Sequence, residues 1–246
     1  IGISFSQHFM TASVAISGVF FPKLMHMVAL DASKEELTCV MIRVGRFQLF
    51  LLSVILLGFV CLGQDFLRLW VGYSIGDGVW LVWLGTLIVL VPLLIPLTQN
   101  TGLAILQALN IHKGRAIILF YSSLTCVVIG YLLSVYYGVI GMFIGTAISL
   151  VIGQVIMVNI FYARRAGLHI RQYFCKTYVP AIIPILILVI LGGGGGFFLN
   201  IVDWKDFLLS AGVYATLCLV VMWFTYLERE ERSVVIDPIK RLLKLN

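Results

Sequence analysis

The residues that could do chemistry in this chain are amides and basic groups set among apolar runs. Gln99, Asn100, Gln107 and Asn110 follow a proline-broken apolar stretch, Pro92 to Leu97. If a helix continues through them, Asn100, Gln107 and Asn110 share one face, because steps of seven and three return to the same side. Arg43 and Arg46 open another apolar run, with Gln48 close behind, and His8 lies in the most polar run. Unionised amides recognise hydrogen-bonding ligands, and the arginine fork suits phosphate. In lipid such groups are expensive unless they face protein or a wet cavity. They are therefore read as a substrate path. Two plainer readings stand beside it: the helix ends near Thr98 with its amides in water, and the arginines reach out to the membrane surface.

Composition sets the context. The chain has 246 residues, 61% hydrophobic and 11% charged, with a net charge of +6. Soluble domains run at about 45–50% and 25%. The basic residues lie between apolar runs rather than on one soluble face, which argues against nucleic acid. A span needs about 20 apolar residues. About seven runs qualify: 3–21, 44–63, 79–98 with an extension towards 109, 116–135, 139–162, 179–199 and 207–227. The fold class is accordingly an all-α polytopic transmembrane helix bundle.

Of the 17 basic residues, all but Arg68 and Lys205 fall on one side of that alternation. The positive-inside rule makes that side cytoplasmic, with the C-terminus on it and residue 1 on the outer side. A start there without a signal predicts that further spans precede it. Trp70, Tyr73, Trp80 and Trp83 gather at an outer boundary, as an aromatic belt would.

Finer features follow. Residues 24–41 alternate apolar and charged types and are read as an amphipathic surface helix, capped by Asp31 or Ser33. The tail from Asp237 is read as lying on an anionic leaflet. Tyr136-Tyr137-Gly138 is too short for anything but a tight hairpin, and Gly141 and Gly145 form a close-packing GxxxG. Gln154 and Asn159 are read as interhelical hydrogen-bond partners, and Gly192 to Gly196 as a weak helical segment. The five cysteines show no metal or disulfide spacing. No nucleophile elbow, HExxH or phosphate loop is present, and no carboxylate lies at mid-span. Neither an enzyme nor a cofactor or metal site is expected.

The motifs LRLWVG (67–72), IPLTQNTGLAILQALNIHKGRA (95–116), YYGVIGMFIGTAISLVIGQ (136–154), YARRAGLHIRQYF (162–174) and VFFPKL (19–24) together resemble the polysaccharide transport family of oligosaccharide flippases (Wzx-like). That family shares a superfamily with the multidrug and toxin extruders (MATE) and the lipid II flippase (MurJ). The resemblance implies a flippase in the bacterial inner membrane. Its cargo would be undecaprenyl-pyrophosphate-linked oligosaccharide for O-antigen, capsule or exopolysaccharide assembly. Its implied partners are that lipid-linked glycan, membrane lipids, a coupling cation (H+ or Na+) and a glycan polymerase. Residues 1–165 would be most of a C-terminal helical lobe, and 166–246 two added spans with a basic tail. The rival expectations are an ion-coupled extruder of small molecules and an integral-membrane enzyme of glycan assembly.

Overall fold

The computed structural model describes residues 2–195, 201–228 and 231–232. Among them every regular element is helical. The first helix, α1 (Gly2–Ala29), contains Pro22. Proline has no N–H and cannot bond the carbonyl four residues back, so helices bend there. The axis turns by 52° between 7–15 and 20–29. A turn through Asp31, at φ 54°, leads into α2 (Lys34–Ile75). Ser33 caps α2. Its hydroxyl accepts from the Glu36 N–H at 3.2 Å, and Glu36 Oε2 accepts from the Ser33 N–H at 2.8 Å. This reciprocal pair satisfies two amides that no helical carbonyl can reach.

Residues 24–41 are therefore not a separate surface helix. They are the end of α1, a turn and the start of α2. Their apolar residues meet each other, since Leu24, Leu37 and Met41 are buried in one cluster.

At 42 residues α2 is about 63 Å long. Its uncharged portion, 47–64, covers about 27 Å, close to a bilayer's hydrocarbon thickness. The first three turns thus extend past that portion, and two cores form along one helix. One core holds Leu49, Leu52, Leu90, Leu94, Leu188 and Met222. The other gathers around the extension, with Met41, Ile105, Leu106, Tyr162 and Tyr173.

The third apolar run is broken. α3 (Val79–Thr98) ends at Gln99, α4 (Asn100–Ala108) starts immediately after, and Asn110 takes a left-handed conformation at φ 56°. α5 (His112–Ser149) reverses at Gly138, which has φ 59° and ψ −141°, a conformation that favours glycine. Its arms are the fourth and fifth expected spans. They approach so closely that a Cβ on Gly145 would lie 2.5 Å from Gly130 Cα, and one on Gly141 would lie 2.1 Å from Leu133 O. Ser122 Oγ donates to Ser149 O at 3.0 Å, and Ser149 Oγ donates back to Ser122 O. The second arm continues through a π-helical stretch (Leu150–Met157), α6 (Val158–Phe161) and a second π-helical stretch (Tyr162–Ala166), stopping at left-handed Gly167.

α7 (Ile170–Thr177), α8 (Val179–Gly195) and α9 (Trp204–Thr225) complete the described helices and pack on α2. Gly192 is a close-approach point, because a Cβ there would meet Cys61 Sγ at 2.4 Å and Tyr214 Oη at 2.6 Å. The expected surface tail from Asp237, and Gly196, lie outside the described residues. Five helical runs are long and apolar enough to cross a membrane, six with bent α1. Counting both arms of the α5 hairpin brings these to the seven expected runs. The chain is an all-α polytopic bundle with the character of transmembrane helices.

Candidate functional site: the polar junction at the α3–α4 break

The break between α3 and α4 frees backbone carbonyls in a region where few amides remain to bond them. Pro92 and Pro96 lack N–H groups, and the helical ladder stops at Thr98. Side chains from other helices take over. Ser13 Oγ, fully buried on α1, donates to Leu97 O at 2.7 Å. Tyr173 Oη on α7 donates to Thr98 O at 2.9 Å. Thr98 Oγ1 donates to Ile95 O and also pairs with Tyr178 Oη. Gly45 makes the Tyr173 bond possible, because a Cβ there would sit 2.7 Å from Tyr173 Oη and 3.1 Å from Thr98 O. A buried carbonyl without a partner costs about 1–3 kcal/mol, so each bond holds the break in place.

The amides complete the junction. Gln99 is 2% exposed, and its Nε2 donates to Asn159 Oδ1 at 2.9 Å. Asn100 Nδ2 donates to Ser13 Oγ at 2.8 Å. Gln48 Nε2 reaches Ser17 Oγ at 2.6 Å and Ser13 O at 3.1 Å. Side chains of α1, α2, α6 and α7 thus gather around residues 97–100. Two acceptors are left over: among the described residues, Gln48 Oε1 and Gln99 Oε1 find no protein donor although both are buried. With no carboxylate or cation in it, the junction offers neutral hydrogen bonding, not acid–base chemistry. Among the described residues no group of three His, Cys, Asp or Glu side chains is placed to hold a metal.

Neither a family model nor a curated protein nor a solved structure matches this chain.

The other expected path residues divide. Gln99 and Asn100 lie in the junction, inside protein rather than in water. Gln107 and Asn110 are exposed at the far end of α4. Asn110 lies past the helix, so the expected shared face of Asn100, Gln107 and Asn110 does not form. His8 is exposed on α1, beside exposed Gln7 and Thr11. Arg43 is exposed on α2 and lines a cavity of about 210 Å³ with Phe20, Met27, Glu36, Cys39 and Val40.

Arg46 is elsewhere altogether. It is 4% exposed and sits between the ends of α7 and α9. Its Nε lies 2.6 Å from Glu231 Oε1, its Nη1 bonds Lys176 O at 2.7 Å, and its Nη2 bonds Tyr226 O at 2.6 Å. Its guanidinium carbon lies 4.8 Å from the Tyr226 ring centre. The fork is filled by the protein itself. It satisfies terminal carbonyls of two helices and faces their negative dipole ends.

Sequence reasoning did not find Tyr173, Tyr178, Ser13 or Glu231. Ser13 and Ser17, one helical turn apart on α1, were a signal for the first side of the junction. No local pattern marks Tyr173 or Glu231.

Proposed function

We propose that this chain is part of a membrane carrier that moves polyprenyl-pyrophosphate-linked oligosaccharide between leaflets. The resemblance of 95–116 and its companion motifs to the oligosaccharide flippases supplies the substrate class. The observation that carries a transport reading is the polar side of α1. Gln7, His8 and Thr11 are exposed together, on the helix whose inner side grips the α3–α4 break. Lipid is a costly neighbour for those groups, and a hydrated path is a favourable one. The junction behind them holds a broken helix with spare amide acceptors, a common arrangement where polar cargo crosses a membrane. In this reading the basic end of the bundle faces the cytoplasm of a bacterial cell.

Deleting the gene in its host tests the proposal. Surface polysaccharide should fall while lipid-linked repeat units build up at the cytoplasmic leaflet, with rescue by the wild-type gene. Gln7→Ala and His8→Ala change exposed side chains, so the variant proteins should reach the membrane at normal abundance yet rescue poorly. Normal polysaccharide with raised sensitivity to small toxic molecules would favour the extruder instead.

A further inference from the structure

The α5 hairpin ends in an unbalanced charge. No Asp or Glu occurs between Asp77 and Asp203. Lys113 and Arg115 lie in the first turn of α5, and Arg164 and Arg165 in the last turn of the second arm. The two turns touch, because a Cβ on Gly114 would lie 2.4 Å from the Phe161 ring. Lys113, Arg164 and Arg165 are exposed, and Arg115 is half-buried. Lys34 of α2 adds a further cation, its Nζ 2.9 Å from where a Cβ on Gly167 would sit. The acids beside Lys34 are engaged, Glu36 in the helix cap and Glu35 with His169 at 3.2 Å.

Acids suit the positive end of a helix, and cations do not. The first turn of α5 has no acid, and Ile111 at its N-cap gives no side-chain hydrogen bond. Donors there are also unmet. Arg115 Nε is shut away from solvent and finds no acceptor among the described residues. Tyr162, next to Phe161, is fully buried with its hydroxyl likewise unpartnered. An anion at this corner offsets the charge and supplies an acceptor.

Position along the helix says which anion. From Arg115 to exposed Tyr136 is about 32 Å with no charged residue between, close to the thickness of a bilayer's hydrocarbon. With Tyr136 and Tyr137 at one interface, Lys113 and Arg115 stand at the headgroup level of the other. Beyond Lys113, exposed Ile117, Phe120 and Leu124 follow at steps of four, three and four, so all four share one face. That face is opposite Ser122, which meets the second arm. A phosphate held by Lys113 therefore has a hydrocarbon track leading from it. A nucleic acid or an acidic peptide has nothing to lay along that track.

We propose that the base of the α5 hairpin binds an anionic phospholipid of the adjoining leaflet, its phosphate at Lys113 and Arg115 and an acyl chain along Ile117, Phe120 and Leu124. Arg164, Arg165 and Lys34 supply a positive field around the headgroup. The inference needs the helices to cross a membrane but not the carrier reading, so the two stand or fall separately.

Photo-crosslinking tests it. The full chain is placed in phosphatidylcholine nanodiscs with a trace of phospholipid carrying a diazirine on its acyl chain, the headgroup being phosphatidylglycerol or phosphatidylcholine. Mass spectrometry should place phosphatidylglycerol adducts on residues 117–124 at least about fivefold above phosphatidylcholine adducts. Lys113→Gln, a change to an exposed side chain, should cut the phosphatidylglycerol adducts by about fivefold. Arg68→Gln, beside Asp65 at the other end of the bundle, should leave them unchanged. Equal labelling by the two headgroups overturns the proposal, as does folded Lys113→Gln protein that labels like the wild type. Displacement of the label by polyprenyl phosphate but not by unlabelled phosphatidylglycerol also overturns it, and gives the corner to a carrier's cargo.

Discussion

The Gln99 side-chain amide donates to Asn159 Oδ1 at 2.9 Å across 60 residues of sequence, both groups buried. Asn159 is fixed in turn by donating to Val155 O at 2.6 Å. One amide pair thus ties the α3–α4 break to the short α6 between two π-helical stretches. π-helical turns recur at functional places because the extra residue re-aims side chains.

Breaking that pair should cost more than removing it. Asn159→Ala strands the Gln99 amide in an apolar setting, an expected loss of about 1–3 kcal/mol. The double variant Gln99→Leu with Asn159→Leu removes both polar groups and should recover most of the loss. Thermal unfolding of the two proteins in the same detergent compares them directly. A double variant no more stable than the single one would mean that the pair is not the main interaction of Gln99.

Gly45 should tolerate nothing larger. Alanine there puts a methyl against Tyr173 Oη and the Thr98 carbonyl, and overpacking of this kind costs about 1–3 kcal/mol. Tyr173→Phe removes the donor to Thr98 O and should cost about 0.5–1.5 kcal/mol. Unfolding midpoints should rank wild type above Tyr173→Phe above Gly45→Ala.

Glycines of one chain should answer differently to one substitution. Gly145→Ala drives a Cβ into Gly130 Cα on the facing arm and should separate the α5 hairpin. Gly58→Ala meets open space within α2 and should stabilise by about 0.5–1 kcal/mol, the helix cost of glycine. Equal midpoints for the two variants would contradict the close approach of the arms.

The start of α2 offers a test confined to one end. Ser33→Ala removes the hydroxyl that accepts from Glu36 N–H, at a cost of about 1 kcal/mol. Ser33→Asp should retain most of the cap. Hydrogen exchange of the amides from 34 to 37 would show the difference, with faster exchange in the alanine variant.

Much of the fold was legible because it is encoded locally. Twenty-residue apolar runs, the Ser33 cap with Glu36 three places on, the reversal at Gly138 and the glycine spacing of 141 and 145 each depend on neighbours in sequence. The proline pair at 92 and 96 also marked the break near Thr98. The polar site was only half legible. Gln99 and Asn100 were visible as misplaced amides, yet their partners Asn159 and Ser13 lie 60 and 87 positions away.

Local patterns also misled where two elements share them. The apolar residues of 24–41 read as one stripe on one helix, but they belong to two helices facing each other across a turn. Asn100, Gln107 and Asn110 share a face only on a continuous helix, and Asn110 sits beyond its end. Arg46 shows the limit most clearly. Its type and position fit a phosphate ligand or a headgroup anchor equally well in sequence. Its surroundings come from the ends of two helices, 130 and 180 residues downstream. The sequence by itself determined which segments are helical and apolar, since hydrogen bonding within a helix and the cost of leaving backbone bare in lipid are local. Only the tertiary structure decided which polar groups meet, because a buried donor takes whichever acceptor the packing of distant helices brings to it.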